Sequence, residues 1–91
     1  MKIPNFIRQR APRIISFLEA QCKDGESLFL SDVPSITKSN GRFVERYSVY
    51  VCRNSNGVGE RYIAALDKIK TRKEGRIVGY QLIGSFSEPL L

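Results

Sequence analysis

Apolar residues near the N-terminus recur at steps of three and four, which is the spacing of one face of an α-helix. The stripe consists of Ile7, Ala11, Ile14, Ile15, Leu18 and Cys22. It predicts an amphipathic helix over about residues 5–23, with Asn5 as the N-cap and Gly25 just beyond the C-terminus. Pro12 conflicts with this helix, because a proline inside a helix removes a hydrogen bond and clashes with the preceding turn. Either the helix kinks at Pro12, or it starts near Ala11 and residues 3–9 form an arm or a short separate turn.

From Ser27 onward the apolar period changes to two, which is typical of β-strands. The first strand is expected to be short and to lie at a sheet edge, because Pro34 cannot donate to a ladder. A turn at Lys38-Ser39-Asn40-Gly41 follows it. Further strands are predicted over about residues 42–53, 59–70 and 76–86, the last after a turn at residues 73–75.

The dipeptide Asn56-Gly57 predicts a type I′ turn joining the two longest strands, because this turn needs positive φ at both central residues. Counting outward from the turn gives opposed pairs that match in charge or in apolar character. They are Arg53–Glu60, Arg46–Asp67, Glu45–Lys68, Val51–Tyr62, Tyr50–Ile63, Val49–Ala64, Tyr47–Leu66 and Val44–Ile69. Each such pair contributes about 0.2–1 kcal/mol, so their agreement in one register predicts a long hairpin.

These elements predict one α+β domain over residues 1–91, in which the N-terminal helix packs on an antiparallel meander of three or four strands. A winged helix-turn-helix is the alternative, because Tyr62, Ala65, Leu66 and Ile69 also fit helical spacing and would place a second helix over residues 59–72. We prefer the meander, because the preceding segment is rich in β-branched and aromatic residues and a helix leaves the three charge matches unexplained.

The two faces of the predicted hairpin differ in composition. One face is the expected core, and it comprises Phe43, Tyr47, Val49, Val51, Tyr62, Ala64 and Leu66. The other mixes arginines with aromatic and aliphatic groups, and it comprises Val44, Arg46, Ser48, Tyr50, Cys52, Arg61, Ile63, Ala65, Asp67 and Ile69. Arginine beside an exposed tyrosine is typical of a nucleic-acid surface, where the cation binds phosphate and the ring stacks on a base. A purely structural role for this face is the competing interpretation, with Arg46 paired to Asp67 and Tyr50 packed on Ile63.

Net charge favours a polyanionic partner. Fifteen Lys and Arg against nine Asp and Glu give +6 and a pI near 9.7. The predicted phosphate contacts are Arg8, Arg10, Arg13, Arg46, Arg61, Lys70, Arg72, Lys73 and Arg76, and Tyr50 is the predicted stacking ring. If four to six of these cations neutralise phosphates of duplex DNA, log affinity should fall with log salt at a slope of about −4 to −5.

Other function classes find little support. The chain has no histidine, and its two cysteines, Cys22 and Cys52, cannot form a zinc site or a CxxC redox motif within one chain. They are expected to be free thiols in a reducing, cytoplasmic compartment. No Gly-rich phosphate loop joins a strand to a helix, and no stretch has the length of a membrane span or the apolar core of a secretory signal. The chain is therefore expected to be non-enzymatic, without a metal or cofactor and without a membrane partner.

The leading hypothesis is a small basic protein that binds DNA or RNA through phosphate contacts from a hairpin tip and from the N-terminal helix. The alternative is a protein-interaction module or inhibitor that docks on an acidic partner and uses Tyr50 and neighbouring aliphatic residues as anchors. The long apolar last strand needs an edge cover, which a homodimer, the helix or the C-terminal tail could supply.

Overall fold

The change of hydrophobic period at Ser27 separates two short helices from a curled antiparallel sheet in the computed structural model of the chain. The structure describes residues 2–39, 41–53, 60–70 and 75–90, with only the backbone at residue 39. The helices are α1 (Asn5–Arg10) and α2 (Pro12–Glu19). The strands are β1 (Ser27–Leu30), β2 (Ser35–Ser39), β3 (Arg42–Cys52), β4 (Arg61–Lys70), β5 (Ile77–Leu82) and β6 (Ser87–Pro89).

Pro12 divides the predicted helix into two. Ala11 is non-helical, with φ −130° and ψ 56°, and Pro12 is the first residue of α2. Proline is tolerated there because its missing N–H would be unpaired at a helix start anyway. The start near Ala11 is confirmed, and the residues before it form a helix of their own. Asn5 is the first helical residue, with Pro4 at the N-cap position, so the prediction of an Asn5 cap is wrong.

The second helix also ends earlier than predicted. After Glu19 the chain continues in a tighter turn of the 3₁₀ type. In this turn the N–H groups of Gln21 and Cys22 donate to the carbonyls of Leu18 and Glu19, three residues earlier. Gly25 therefore lies in the connecting turn, at φ +82°, and not directly after a helix C-terminus. The apolar stripe is confirmed: its first five members are buried, and Cys22 is half-buried against the core.

The sheet has the order β1-β3-β4-β5-β6, and β2 pairs with β3 on the same side as β1. The short edge strand at Ser27 and the two long central strands are confirmed. The strand β2 was not predicted. The last predicted strand is shorter than expected, because a turn after Leu82 returns the chain as β6 along β5. The C-terminal tail therefore covers the edge of β5, which is one of the three covers expected from the sequence, the others being the helix and a homodimer.

The hairpin register is confirmed from Glu45–Lys68 to Val49–Ala64 and then shifts by one residue. Tyr50 pairs with Tyr62 and Val51 with Arg61, so Ile63 is the extra residue of a β-bulge. The predicted pairs Val51–Tyr62 and Tyr50–Ile63 are wrong for this reason. Since residues 61–70 form a strand, the winged-helix alternative is also wrong.

Two outer pairs of the predicted hairpin lie beyond the described ladder, and two predicted turns lie wholly or mostly outside the described residues. The described ladder between β3 and β4 does not reach Val44–Ile69 or Arg53–Glu60, and no ion pair joins Arg53 to Glu60 in the described part of the chain. The Asn56-Gly57 turn lies outside the described residues, as does most of the turn at residues 73–75.

The core lies between the two helices and one face of the sheet. Its strand residues include Tyr47, Val49, Val51 and Leu66 of the predicted core face, and Ala64 packs against them half-buried. Two residues of that prediction are wrong, because Phe43 is 72% exposed and Tyr62 is 57% exposed. Tyr62 is displaced to the opposite face by the bulge. Phe43 lies at the end of β3, where it pairs with Lys38 of β2 and the ammonium lies 5.8 Å from its ring centroid.

A carboxylate from the last strand accepts hydrogen bonds from the free backbone N–H groups at the N-terminus of α2. The N–H of Ile14 donates to Glu88 Oε1 at 2.8 Å, and that of Arg13 donates to Oε2 at 3.2 Å. Ala11 offers no side-chain cap, and Pro12 has no N–H, so Glu88 accepts from the first two donors of this helix. This contact ties β6 to the helical layer.

Candidate nucleic-acid interface

The candidate interface lies on the sheet face opposite to the helices. The helices pack on a hydrophobic cluster that contains Leu28, Leu30, Tyr47, Val49, Val51, Leu66, Tyr80 and Leu82 from the strands. Because side chains alternate along a strand, the residues between these point to the other side. We call that side the outer face and define it by Phe29, Arg46, Tyr50, Tyr62 and Asp67.

Three aromatic residues lie side by side across the outer face. Phe29 of β1 is directly opposite Tyr50 of β3, and Tyr50 is opposite Tyr62 of β4. The rings of Tyr50 and Tyr62 meet edge to face, with centroids 5.8 Å apart and planes at 71°. Tyr62 is exposed, and Phe29 and Tyr50 are half-buried. We call these three residues the aromatic row.

Lysine and arginine side chains border this row. Lys2 forms an isolated bridge with Phe29, so the two residues share a face and Lys2 extends the row beyond β1. The exposed Arg42 and the half-buried Arg46 lie on the same side of β3 as Tyr50, because they are separated from it by eight and four residues. Neither Lys2 nor Arg42 forms an ion pair within the described residues.

Arg46 is held by a buried carboxylate. Its Nε and Nη2 donate to Asp67 Oδ1 and Oδ2 at 2.7 and 2.9 Å, and Asp67 is only 1% exposed. These hydrogen bonds raise the pKa of the Arg46 guanidinium. The predicted pairing of Arg46 with Asp67 is therefore confirmed. A guanidinium has five N–H donors, so three remain for an anion, and the side chain is 33% exposed.

The bulge moves Arg61 away from its predicted place beside Arg46 and Tyr50. Arg61 lies opposite Val51 on the helix-covered side, and its Nη2 is 3.2 Å from the Glu26 carboxylate. The pKa of Glu26 is lowered, first by the backbone N–H of Lys23 and then by the charge of Arg61. The prediction that Arg61 shares a face with Arg46 is wrong, because it assumed an unbroken register.

The other predicted phosphate contacts are dispersed over different elements and partners. Arg8 is paired to Glu19 at 3.1 Å, and Lys70 to Glu45 at 2.8 Å. Arg13 lies over the ring of Phe86, at 5.9 Å from its centroid. Arg10 and Arg76 are exposed, and Arg72 and Lys73 lie outside the described residues. Within the described part of the chain, these cations are not assembled into one site, and four of the predicted set are already paired with carboxylates.

Sequence reasoning missed Phe29, Tyr62, Lys2 and Arg42 as members of the interface. Phe29 could have been found, because it alternates with Leu28 and Leu30, which belong to the core. Arg42 could have been found by the same alternation from Arg46. No sequence signal marks the bulge that exposes Tyr62, nor the bridge that places Lys2 beside β1.

A cleft of about 330 Å³ lies at the β1 edge of the sheet, where Lys2 of the outer face meets residues of the helical layer. It is lined by Lys2, Arg8, Glu19, Cys22, Glu26, Ser27 and Leu28. Burial raises the pKa of the Cys22 thiol, and the charges of Glu26 and Glu19 raise it further. Reactive cysteines have a lowered pKa, so this thiol lacks the electrostatic setting of a nucleophile. Among the described residues, no three His, Cys, Asp or Glu side chains converge as a metal site.

Comparison of the chain with models of known protein families, with curated proteins and with solved structures found no match. None of the helices in the described ranges has the length and apolar character needed to cross a membrane. Function is therefore inferred from the geometry of the outer face.

Proposed function

We propose that this protein binds nucleic acid through the outer face of its sheet and catalyses no reaction. The observation that supports the proposal is the aromatic row, bordered by Lys2 at one end and by Arg42 and Arg46 along β3. Rings offer stacking surfaces to bases, and the neighbouring cations offer contacts to phosphates. A reducing, cytoplasmic location remains part of this proposal, because it accounts for the two free cysteines.

The structure changes the expected strength of the electrostatic contribution. Three cations lie near the aromatic row. Lys2 and Arg42 have no carboxylate partner in the described residues, and Arg46 forms an ion pair with Asp67. Two to three phosphate contacts to a single strand correspond to a slope of log affinity on log salt of about −1.4 to −2.1. This is shallower than the slope expected when the dispersed cations all contact duplex DNA.

Two charge-neutralised double variants test the proposal. Lys2→Gln with Arg42→Gln removes the two outer-face cations that form no ion pair within the described residues. Lys23→Gln with Lys38→Gln removes the same charge from exposed positions elsewhere, in the turn after α2 and beside Phe43. Affinity for a fluorescein-labelled oligonucleotide is measured by anisotropy at about 50 and about 200 mM salt.

The outer-face variant should bind about 25-fold more weakly at about 0.1 M salt, as two lost phosphate contacts at a slope of −0.7 each predict. The control variant should lose less than about threefold, because its cations act only through long-range charge that salt screens. Equal losses in the two variants would contradict an outer-face site. Absence of oligonucleotide binding by the unmodified protein at either salt concentration would contradict the function itself.

Exposed apolar residues at the far end of β3 favour a protein partner as the second candidate. Phe43 is 72% and Ile36 66% exposed, and the register makes them diagonal neighbours on one face. The anchors expected from the sequence are less suitable, because Val44 is buried and Ile63 packs against the core. Phe43→Ser should abolish binding to an acidic protein partner in a pull-down and leave oligonucleotide affinity unchanged. If a captured partner binds the variant as well as the unmodified protein, this second candidate is wrong.

A further inference from the structure

We infer that the ligand is a single-stranded nucleic acid whose bases stack on Phe29, Tyr50 and Tyr62. This inference rests on the proposed function and specifies the ligand class and the contacts that nucleic-acid binding alone leaves open.

The register places one ring on each of three adjacent strands, so that the rings form a line across the sheet. Phe29, Tyr50 and Tyr62 occupy directly opposed positions on three adjacent strands. Since adjacent strands lie about 4.8 Å apart, a nucleic-acid strand that follows the row crosses β1, β3 and β4 at right angles and meets one ring per strand. The edge-to-face contact of Tyr50 with Tyr62 leaves the two rings unstacked on each other. Ring surface therefore remains for bases, above all at Tyr62, which is 57% exposed.

A duplex cannot use this row in the same way. The faces of paired bases are already stacked within a double helix, so rings on a protein surface reach them only at a duplex end. The outer face is also too broad to enter the major groove, because the five adjacent strands of the sheet span about 19 Å and the groove is about 12 Å wide. A duplex would therefore meet the outer face through its phosphates alone, where Arg46 is largely neutralised by Asp67.

The charges around the row fit the backbone of one strand. Lys2 lies next to Phe29 at the β1 end. Arg46 lies four residues from Tyr50 along β3, which is about 13 Å, and keeps three donors after binding Asp67. Phosphates on the two sides of the stacked bases would thus each contact a cation. Because only a few cations border the row among the described residues, stacking should supply most of the affinity. Because every base has an aromatic face, we expect little sequence preference.

The experiment compares three probes with the full chain: a labelled oligo(dT) strand, a strand of the same length built from abasic sites, and a labelled duplex. The abasic strand keeps the phosphates and lacks the bases, so it separates stacking from charge. Tyr62→Leu and Phe29→Leu are the test variants. Phe43→Leu is the matched control, because it replaces an exposed ring of β3 that points away from the outer face.

We expect oligo(dT) to bind more tightly than the abasic strand and the duplex. Each test variant should lose about 5- to 150-fold in affinity for oligo(dT), which is the range for one stacked base, and should bind the abasic strand as the unmodified protein does. Phe43→Leu should change neither affinity by more than about twofold, since it touches no proposed contact. Tyrosine fluorescence gives a second measurement, because the chain has four Tyr and no Trp. Oligo(dT) should quench it and the abasic strand should not.

The outcomes separate the inference from the function on which it rests. Equal binding of oligo(dT) and the abasic strand, or tighter binding of the duplex, overturns the stacking inference and leaves nucleic-acid binding intact. Failure of all three probes to bind overturns the proposed function. Since Tyr62 is exposed and loses only its edge contact with Tyr50, its variant should lower the thermal midpoint by no more than about 4–8 °C, so a large loss of binding in a folded variant supports the inference directly.

Discussion

Replacing Glu88 should destabilise the fold more than any other single carboxylate change on the helical side of the molecule. The Glu88 side chain accepts the N–H groups of Arg13 and Ile14 at 3.2 and 2.8 Å and is only 7% exposed. In Glu88→Ala both donors lose their partner, and the N-terminal end of α2 loses the negative charge that its dipole favours.

The magnitude follows from these contacts. A hydrogen bond to a charged group contributes about 1.5–3 kcal/mol, and the charge–dipole interaction about 0.3–1 kcal/mol. Two bonds that share one carboxylate are not additive, so we expect Glu88→Ala to cost about 3 kcal/mol and Glu88→Gln, which keeps one acceptor oxygen, about half of that. A domain of 91 residues has a free energy of unfolding of about 5–14 kcal/mol, so the loss is a large fraction of the total.

Urea unfolding followed by circular dichroism measures this loss, with Glu19→Ala as the control. Glu19 is 52% exposed and forms a surface ion pair with Arg8, so its removal should change the free energy of unfolding by no more than about 0.5 kcal/mol. The slope m should stay constant in all three variants, because the exposed surface of the unfolded chain is the same. A Glu88→Ala value within error of the Glu19→Ala value would refute the assignment of Glu88 as the cap of α2.

Three further predictions concern the sheet. Gly79→Ala should lower the thermal midpoint by the equivalent of about 1–3 kcal/mol, since an added Cβ would lie 3.0 Å from backbone atoms of β6; an unchanged midpoint would contradict this close approach. Arg46→Met should cost about 3–5 kcal/mol in urea unfolding by leaving Asp67 buried and unpaired, and adding Asp67→Leu should recover most of it; a double variant as unstable as the single one would contradict this. Hydrogen bonds from neighbouring lysines lower the pKa of Glu45, so its contribution to stability is present above about pH 4.3 and is lost as pH falls. Glu45→Gln should therefore flatten the decline of stability below about pH 5, and an unaltered decline would contradict the assignment.

Charge pairing predicted the centre of the hairpin well, because opposite charges specify a register that apolar residues alone leave open. Arg46–Asp67 and Glu45–Lys68 both form as expected. The bulge at Ile63 was beyond sequence reasoning, since the segment around it contains no Gly or Pro and alternates acceptably in either register. That single inserted residue decides which ring and which arginine reach the outer face.

The remaining differences have local causes. Pro12 is compatible with a kinked helix or with a helix that starts near Ala11. The second arrangement is favoured by the carboxylate of Glu88, which caps α2 and is distant in sequence. The strand β6 contains Pro89, a residue that argues against a strand unless it lies at an edge, which is where β6 lies. Candidate phosphate contacts such as Arg8 and Lys70 could be named from charge, but their carboxylate partners depend on tertiary packing.

The most direct test of an outer-face site is to follow backbone amide resonances of the ¹⁵N-labelled protein during titration with oligo(dT). An outer-face site predicts the largest shifts at Phe29, Tyr50 and Tyr62 and at Ser48, which lies between Tyr50 and Arg46 on β3, with little change along α2. Shifts confined to the helices or to the end of β3 around Phe43 would contradict it.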